Sequence, residues 1–247
     1  MAEIIYGRNA VREALRAKRR TFKRLIISSG AQETGTLAEI AKLAEGAGVP
    51  VEKIERKDLE RQLREVNHQG VALESGPYPY VELEDCMRLA EQRGEQVLLL
   101  LLDHLQDPQN IGTLIRTAEA VGVHGVIMPG RRAAEVTPAV VNASAGATEH
   151  LNIAIVTNLA QTIDEVQKAG VWVVGADEDE RSQMFDQVDM DMPIALVIGA
   201  EGTGLARLTR EKCDFIVKLP MVGQIESLNA AVAGSILLYS AWRARTA

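Results

Sequence analysis

Three short segments of this chain combine glycines with polar side chains in an order that can build a site. The first is DPQNIGTLIRTA at 107–118. Thr113 and Arg116 stand three apart and share one side of a helix, while Ile111, Leu114, Ile115 and Ala118 take the apolar side. Taken alone, Asn110 reads as the cap of that helix and Arg116 as a surface cation. The second is IGAEGTGL at 198–205, where three glycines let backbone approach a ligand closely and leave Glu201 with little side-chain cover. Its spacing is not GxGxxG, and it lacks the lysine of a P-loop, so dinucleotide and nucleoside-triphosphate chemistry lose their fingerprints. The third is LPMVGQIESLNAAVA at 219–233, an uncharged loop that opens a long Ala-rich helix. Ser227 is the predicted N-cap there, and Leu219, Met221 and Leu228 can wall an adenine with peptide groups at its edge. Each segment by itself is better explained by structure than by function.

The elements around these segments have to hold them at one end of a sheet. VLLLLLD at 97–103 is a continuous apolar run of the kind buried on both faces of a parallel sheet. Further strands are predicted at 125–128, 152–156, 171–176, 194–199 and 215–219, with helices at 111–121, 137–143, 159–169, 205–212 and 228–243. That alternation predicts a largely parallel sheet with helices on both faces, whose ligands bind beyond the carboxyl ends of the strands. Ahead of it, strands at 4–6, 24–28, 49–54 and 70–74 alternate with helices at 9–18, 37–45 and 57–64, a small α/β unit. The predicted division is 1–76 for this unit, 77–95 for a linker that passes into an acidic helix, and 96–247 for the large domain.

The two cysteines sit in no metal-ligand spacing, which argues against a disulfide framework or a zinc site. The opening MAEIIYGRNAVREAL has no apolar signal core and no apolar run reaches the ~18 residues of a membrane span. A cytoplasmic chain is the expectation. The net charge of −7 is unevenly placed: residues 1–76 carry 14 Lys/Arg against 11 Asp/Glu (+3), residues 77–247 carry 13 against 23 (−10). A basic cluster in 8–24 is compatible with nucleic acid but by itself better read as a solvated helix face. The acidic stretch 177–191 has Ser182 where a calcium loop needs glycine and is read as solvated surface.

In this order the three segments resemble the motifs of the SpoU (TrmH) family of RNA ribose 2′-O-methyltransferases, within the SPOUT superfamily. NASAGATEH at 142–150 is similar to the family's segment between the first two motifs. IYGRNAVREAL and HQGVAL at 68–73 resemble the small substrate-binding domain of the subgroup that modifies a guanosine of large-subunit ribosomal RNA, although other members with this arrangement act on different rRNA sites or on transfer RNA. The resemblance implies a trefoil knot in the C-terminal domain and a homodimer whose sites form at the subunit interface. S-adenosylmethionine is the implied cofactor, without a metal, held by Gly175, Ala176, Gly199, Leu219, Met221 and Leu228. It also implies a catalytic set of Arg116 with Asn110, Glu201, Ser227 and Asn229. A guanidinium is a poor base, so Arg116 is expected to hold a phosphate and stabilise a developing alkoxide. Glu201 would position Arg116 or Asn110, while Ser227 and Asn229 shape the loop and contact substrate. RNA contacts are expected from Arg8, Arg16, Arg19, Arg20, His68 and Gln69. The rivals are a dehydrogenase or kinase, which lacks its fingerprint, and a non-catalytic RNA-binding relative, against which the intact motif residues speak.

Overall fold

The computed structural model describes residues 3–31, 34–64, 66–130, 135–225 and 227–246; Glu226 of the third motif lies outside them. In chain order the elements begin with β1 (Glu3–Tyr6), α1 (Arg8–Ala17), β2 (Phe22–Ser28), α2 (Thr36–Gly46), β3 (Val51–Ile54), α3 (Arg56–Leu63) and β4 (Val71–Ser75). There follow α4 (Leu83–Arg93), β5 (Leu98–Asp103), α5 (Pro108–Ala120), β6 (Gly125–Pro129), α6 (Pro138–Ala143), β7 (Ile153–Val156) and α7 (Leu159–Lys168). The rest are β8 (Trp172–Ala176), β9 (Gln183–Met184), β10 (Ile194–Gly199), α8 (Arg207–Lys212), β11 (Phe215–Lys218) and α9 (Ala230–Ala244). Contacts divide them into two units, one of Met1–Pro79 with Val136–His150, the other of Tyr80–Glu135 with Leu151–Ala247.

The smaller unit is a four-stranded sheet in the order β1-β4-β2-β3, in which β4 runs antiparallel to β1 and β2, and β3 parallel to β2. Helix α1 buries Ala10, Val11, Ala14 and Leu15, one stripe of a 3.6-residue period. The segment 136–150, expected in the large domain, packs here instead. Asn142 Nδ2 donates to the Tyr6 carbonyl at 3.0 Å, and a Cβ on Gly146 would come within 2.7 Å of Glu13 Cβ. Arg20 is fully buried and forks onto Glu149 through Nε (3.0 Å) and Nη2 (2.7 Å), with Nη1 on Glu3 at 2.6 Å. Its guanidinium also lies 4.9 Å from the centre of the Tyr78 ring. A side chain so enclosed cannot meet RNA, so the expectation for Arg20 is corrected: it ties the excursion 136–150 to its own unit.

The larger unit is a seven-stranded sheet, β7-β6-β5-β10-β8-β11-β9, with every pairing parallel. The two most apolar strands, LLLLLD and IALVIG, are adjacent at its middle and buried throughout, as the uninterrupted runs require. Residues 83–93 of the expected linker are instead part of this unit. Helix α4 buries Leu83, Cys86 and Ala90 and packs on β6 and β7, and Gly125 has no room for a Cβ beside Cys86. The packing that brings α9 onto the sheet also depends on a glycine: a Cβ on Gly234 would lie 2.6 Å from Leu114 Cδ2 and 3.0 Å from Ile198. The loops after β5, β8, β10 and β11 leave the same end of the sheet because the strands are parallel.

Candidate active site

The loop after β5 starts from a carboxylate that the three motifs do not include. Asp103 is completely buried, accepts from the Ala206 N–H at 2.7 Å and holds His104 Nδ1. Asp107 then caps α5, accepting from Gln109 N (3.3 Å) and Asn110 N (3.1 Å), with Pro108 at the first helical position. The cap is therefore Asp107, not Asn110. Relieved of capping, the nearly buried Asn110 side chain is free to face the other loops.

The loop after β10 folds back on itself. A Cβ on Gly199 would stand 2.6 Å from Leu205 N and closer still to the Gly204 carbonyl, so only glycine permits the turn. Asp177, at the end of β8, latches the same loop. Its Oδ2 accepts from Leu205 N at 3.0 Å and from Arg210 Nε at 2.8 Å, and its carboxylate lies against Gly204, whose φ is +64°. The reading of 177–191 as plain surface is corrected at this residue. Asp103 and Asp177 thus fix the loop 200–206 from two sides.

The loop after β11 ends on Asn229, which caps α9 by accepting from Ala231 N (2.9 Å) and Val232 N (3.2 Å). The expected cap, Ser227, is exposed two residues earlier. Asn229 does more than cap. Its Nδ2 donates to Asn110 Oδ1 at 2.9 Å and to Glu201 Oε1, so one amide joins the loops after β5, β10 and β11.

Two cavities flank this junction. One, of about 290 Å³, is lined by Ala176, Gly199, Leu219, Met221, Ser227 and Leu228, with Asp177, Glu178, Glu201 and Lys218 also on its wall. That size is near the lower bound, about 300 Å³, of small-molecule sites. The other, of about 380 Å³, is polar and lined by His104, Gln106, Asp107, Asn110 and Thr203; both cavities share Ala200 and Glu201. Of the residues expected to hold a cofactor, only Gly175 is absent from the first cavity. It is a packing glycine, for a Cβ there would lie 2.7 Å from Leu205 and 2.8 Å from Cys213 Sγ. Burial pushes the Cys213 thiol up to about 12, so it is no nucleophile.

The two domains match two sequence families. Residues 97–239 match the SpoU rRNA methylase family, and residues 4–81 match a domain described as RNA 2′-O ribose methyltransferase substrate binding. The chain belongs to the SpoU (TrmH) family of RNA methyltransferases. It is 44% identical over 243 residues to YacO of Bacillus subtilis, named as a TrmH family tRNA/rRNA methyltransferase, covering 98% of this chain and 96% of that protein. The SpoU methyltransferase AviRb of Streptomyces viridochromogenes, solved with AdoMet, superposes with a TM-score of 0.79 at 28% identity, covering 99% of this chain and 91% of AviRb. An AdoMet-bound rRNA methyltransferase of Sinorhizobium meliloti gives 0.77 at 25% identity, covering 98% and 87%.

Against the SpoU motifs, the structure joins Asn110, Glu201 and Asn229, sets Ser227 in the adjacent cavity wall, and leaves Arg116 outside. Arg116 lies six residues beyond Asn110 on α5, roughly 9 Å along the axis. It is exposed, lines neither cavity and has no ion pair among the described residues. On the substrate-binding unit, Arg8, His68 and Gln69 line one cleft. Arg16 is instead engaged with Glu13 at 3.0 Å and with Glu39, and Arg19 lies 5.8 Å from the Tyr78 ring. His104, which no motif singled out, lines the polar cavity next to Asn110.

Proposed function

We propose that this SpoU family chain transfers a methyl group from S-adenosylmethionine to a ribose 2′-hydroxyl, that of a guanosine in large-subunit ribosomal RNA. The observation that carries the reading is the meeting of two cavities at Glu201 and Ala200, one fit for the donor and one for the acceptor nucleotide. The fit of the first rests on its chemistry. Leu219, Met221 and Leu228 supply an apolar wall, and three carboxylates, set against Lys218 and the Arg210 guanidinium that pairs with Asp177, leave a net charge of −1 there, suited to a cationic donor. Bound there, S-adenosylmethionine supplies an electrophilic methyl on a sulfonium centre. The AdoMet-bound relatives and the substrate-binding match support the same assignment.

The chain's own residues then have to place a hydroxyl and take up its proton. Asn229 holds Asn110 and Glu201 together as a positioning residue, with every atom of its amide engaged. Asn110 keeps its Nδ2 donors for the acceptor nucleotide, and Glu201 keeps Oε2 as an open acceptor. His104 offers Nε2 to the same cavity, with Nδ1 held by buried Asp103. Among the described residues the acceptor cavity has no fixed cation, which Arg116 of a second copy would bring. Beside Arg116, α9 exposes Val232, Ile236 and Tyr239 at i, i+4 and i+7, and α9 is pinned to α5 by Thr117–Ser235 at 2.9 Å. We read that face as the homodimer seam. The family's trefoil knot and a cytoplasmic location complete the proposal; no helix among the described residues is long and apolar enough to cross a membrane.

Mass-spectrometric mapping of ribosomal and transfer RNA from cells with and without the protein tests the reaction. Loss of one 2′-O-methylguanosine from large-subunit rRNA is expected, and loss of a base methylation instead would overturn the chemistry. Mixing inactive Arg116→Ala and Asn229→Ala chains tests the seam. Arginine supply across it restores about a quarter of wild-type activity, because half the dimers are mixed and each has one intact site. Supply within one chain restores none.

A further inference from the structure

The substrate-binding unit contains a cleft of about 550 Å³ between the end of β2, the first turns of α1 and α3, and the turn before β4. It differs in charge from the donor cavity: among its described residues Arg8 and Arg56 against Glu60 give +1. Arg8 has no ion pair among the described residues. Its N–H donates to Gln69 Oε1 at 3.0 Å and its Nε to the Gln69 carbonyl at 3.2 Å, which leaves both terminal nitrogens open. Arg56 uses only Nε, on Glu60 at 2.8 Å.

The turn itself presents donors. His68 is 5% exposed, and its Nδ1 accepts from Gly70 N at 3.0 Å, which puts the proton of the neutral ring on Nε2. Burial lowers its pKa, in keeping with a neutral ring. Nε2 has no hydrogen-bond partner among the described residues, yet no buried side-chain nitrogen or oxygen there is left unpaired. Nε2–H must therefore reach the solvent of the cleft. Gln69 is held at φ +53°, a conformation that costs a non-glycine residue on the order of 1 kcal/mol and persists where the surroundings enforce it. Because its Oε1 is engaged by Arg8, its amide protons are the free end.

We propose that this cleft binds one unstacked nucleotide of the substrate RNA, with its phosphate between Arg8 and Arg56 and a keto base on the donors of His68 and Gln69. Donors on these two adjacent residues match uracil O4, or guanine O6 with N7, whereas cytosine and adenine carry an amino group at that position of the same edge. The site rests on the RNA methyltransferase reading and adds to it a specificity element on the substrate-binding unit.

The test uses the full chain with fluorescein-labelled U12 and C12 RNA, and UMP. U12 should bind at least fivefold more tightly than C12. Arg8→Ala with Arg56→Ala should weaken U12 about tenfold and lower the salt slope by about 0.7 for each phosphate no longer neutralised. Gln69→Gly, which suits the backbone, should abolish the U12 preference, while Arg61→Ala on the same helix but outside the cleft should change affinity less than twofold. On the unaltered protein, UMP should shift the His68 Nε2–H resonance in a 15N-histidine spectrum. Absence of that shift, or U12 binding by the variants equal to wild type, would overturn the cleft. Methylation of cellular RNA is followed in parallel: a wild type that methylates while failing these tests loses only the cleft, and a wild type that methylates no RNA loses the enzymatic reading.

Discussion

Asn229 has two separable duties, and two substitutions distinguish them. Asn229→Ala removes the α9 cap, worth about 1 kcal/mol, and the bond to Asn110, worth about another 1 kcal/mol. The bond to Glu201 is charge-assisted but exposed, which puts it near 1 kcal/mol at most. The sum is about 2–3 kcal/mol, and at roughly 2–4 °C per kcal/mol the melting temperature falls by about 4–12 °C. Asn229→Ser keeps a capping oxygen of equal rank but cannot reach Asn110 or Glu201, so it should melt about 2–4 °C above the Ala variant. Activity should not follow that order. Both changes free Glu201 and Asn110 from their common anchor, and a misplacement of about 1 Å costs on the order of 100-fold in turnover. The assays are thermal denaturation and transfer of a tritiated methyl group to RNA, with donor affinity from calorimetry expected to change less than about fivefold for either variant. Retention of more than a third of wild-type turnover by Asn229→Ser would refute the positioning role. Equal melting of the two variants would refute the cap.

Arg20→Ala should destabilise the smaller unit by about 3–5 kcal/mol in urea unfolding, because Glu149 is left buried without its counter-charge; a loss below 1 kcal/mol would contradict the buried pairing. His124 accepts from Leu98 N through Nδ1 and donates to Glu95 through Nε2, and burial lowers its pKa. A lowered folded pKa favours the neutral ring, so its contribution is complete above the unfolded value of about 6.5 and is lost as pH falls through the folded value. The stability difference between wild type and His124→Gln should therefore shrink below about pH 6.5, and a difference constant with pH would exclude it. Gly199→Ala should leave the sheet folded but displace the loop 200–205, with calorimetry showing S-adenosylmethionine affinity reduced at least tenfold; unchanged affinity would separate that loop from the donor.

The strands and helices of the large unit are readable because their apolar runs have a period that burial enforces. LLLLLD and IALVIG lie side by side at the sheet centre, where uninterrupted apolar residues have to be. The caps are less readable. DPQN and SLN each offer two competent capping residues within three positions, and propensity does not choose between them. The choice matters, since capping by Asp107 releases Asn110 for the site, while capping by Asn229 leaves its Nδ2 to bridge the loops. Asp103 and Asp177 do not stand out in the sequence because their partners are backbone N–H groups about 103 and 28 residues away, contacts that no local pattern encodes. The place of 136–150 is hidden likewise, in an ion pair of two distant charged residues, Arg20 and Glu149.

Charge explains why the reaction needs groups from several places. With Asp177 paired to Arg210 and Glu178 to Lys218, the donor cavity keeps a net −1 at Glu201, which favours a cationic methyl donor and disfavours the phosphates on either side of a target ribose. At physiological ionic strength such repulsion reaches only about 8 Å, so it acts on the nearest phosphates and scarcely on the rest of the RNA. A cation is required at that distance and no farther. Among the described residues the cavity wall contributes one cation, Lys218, and Lys218 is paired with Glu178 at 2.8 Å. Arg116, exposed and without an ion pair among the described residues, is suited to the need in chemistry, with a planar fork that grips phosphate, but not in place, being on the outer face of α5. A second copy docking on the α5–α9 face would supply the charge only when the dimer has formed, which couples assembly to turnover. The cleft at Arg8 and Arg56 can then hold RNA with positive charge of its own, and the donor cavity keeps the acidity that its ligand requires.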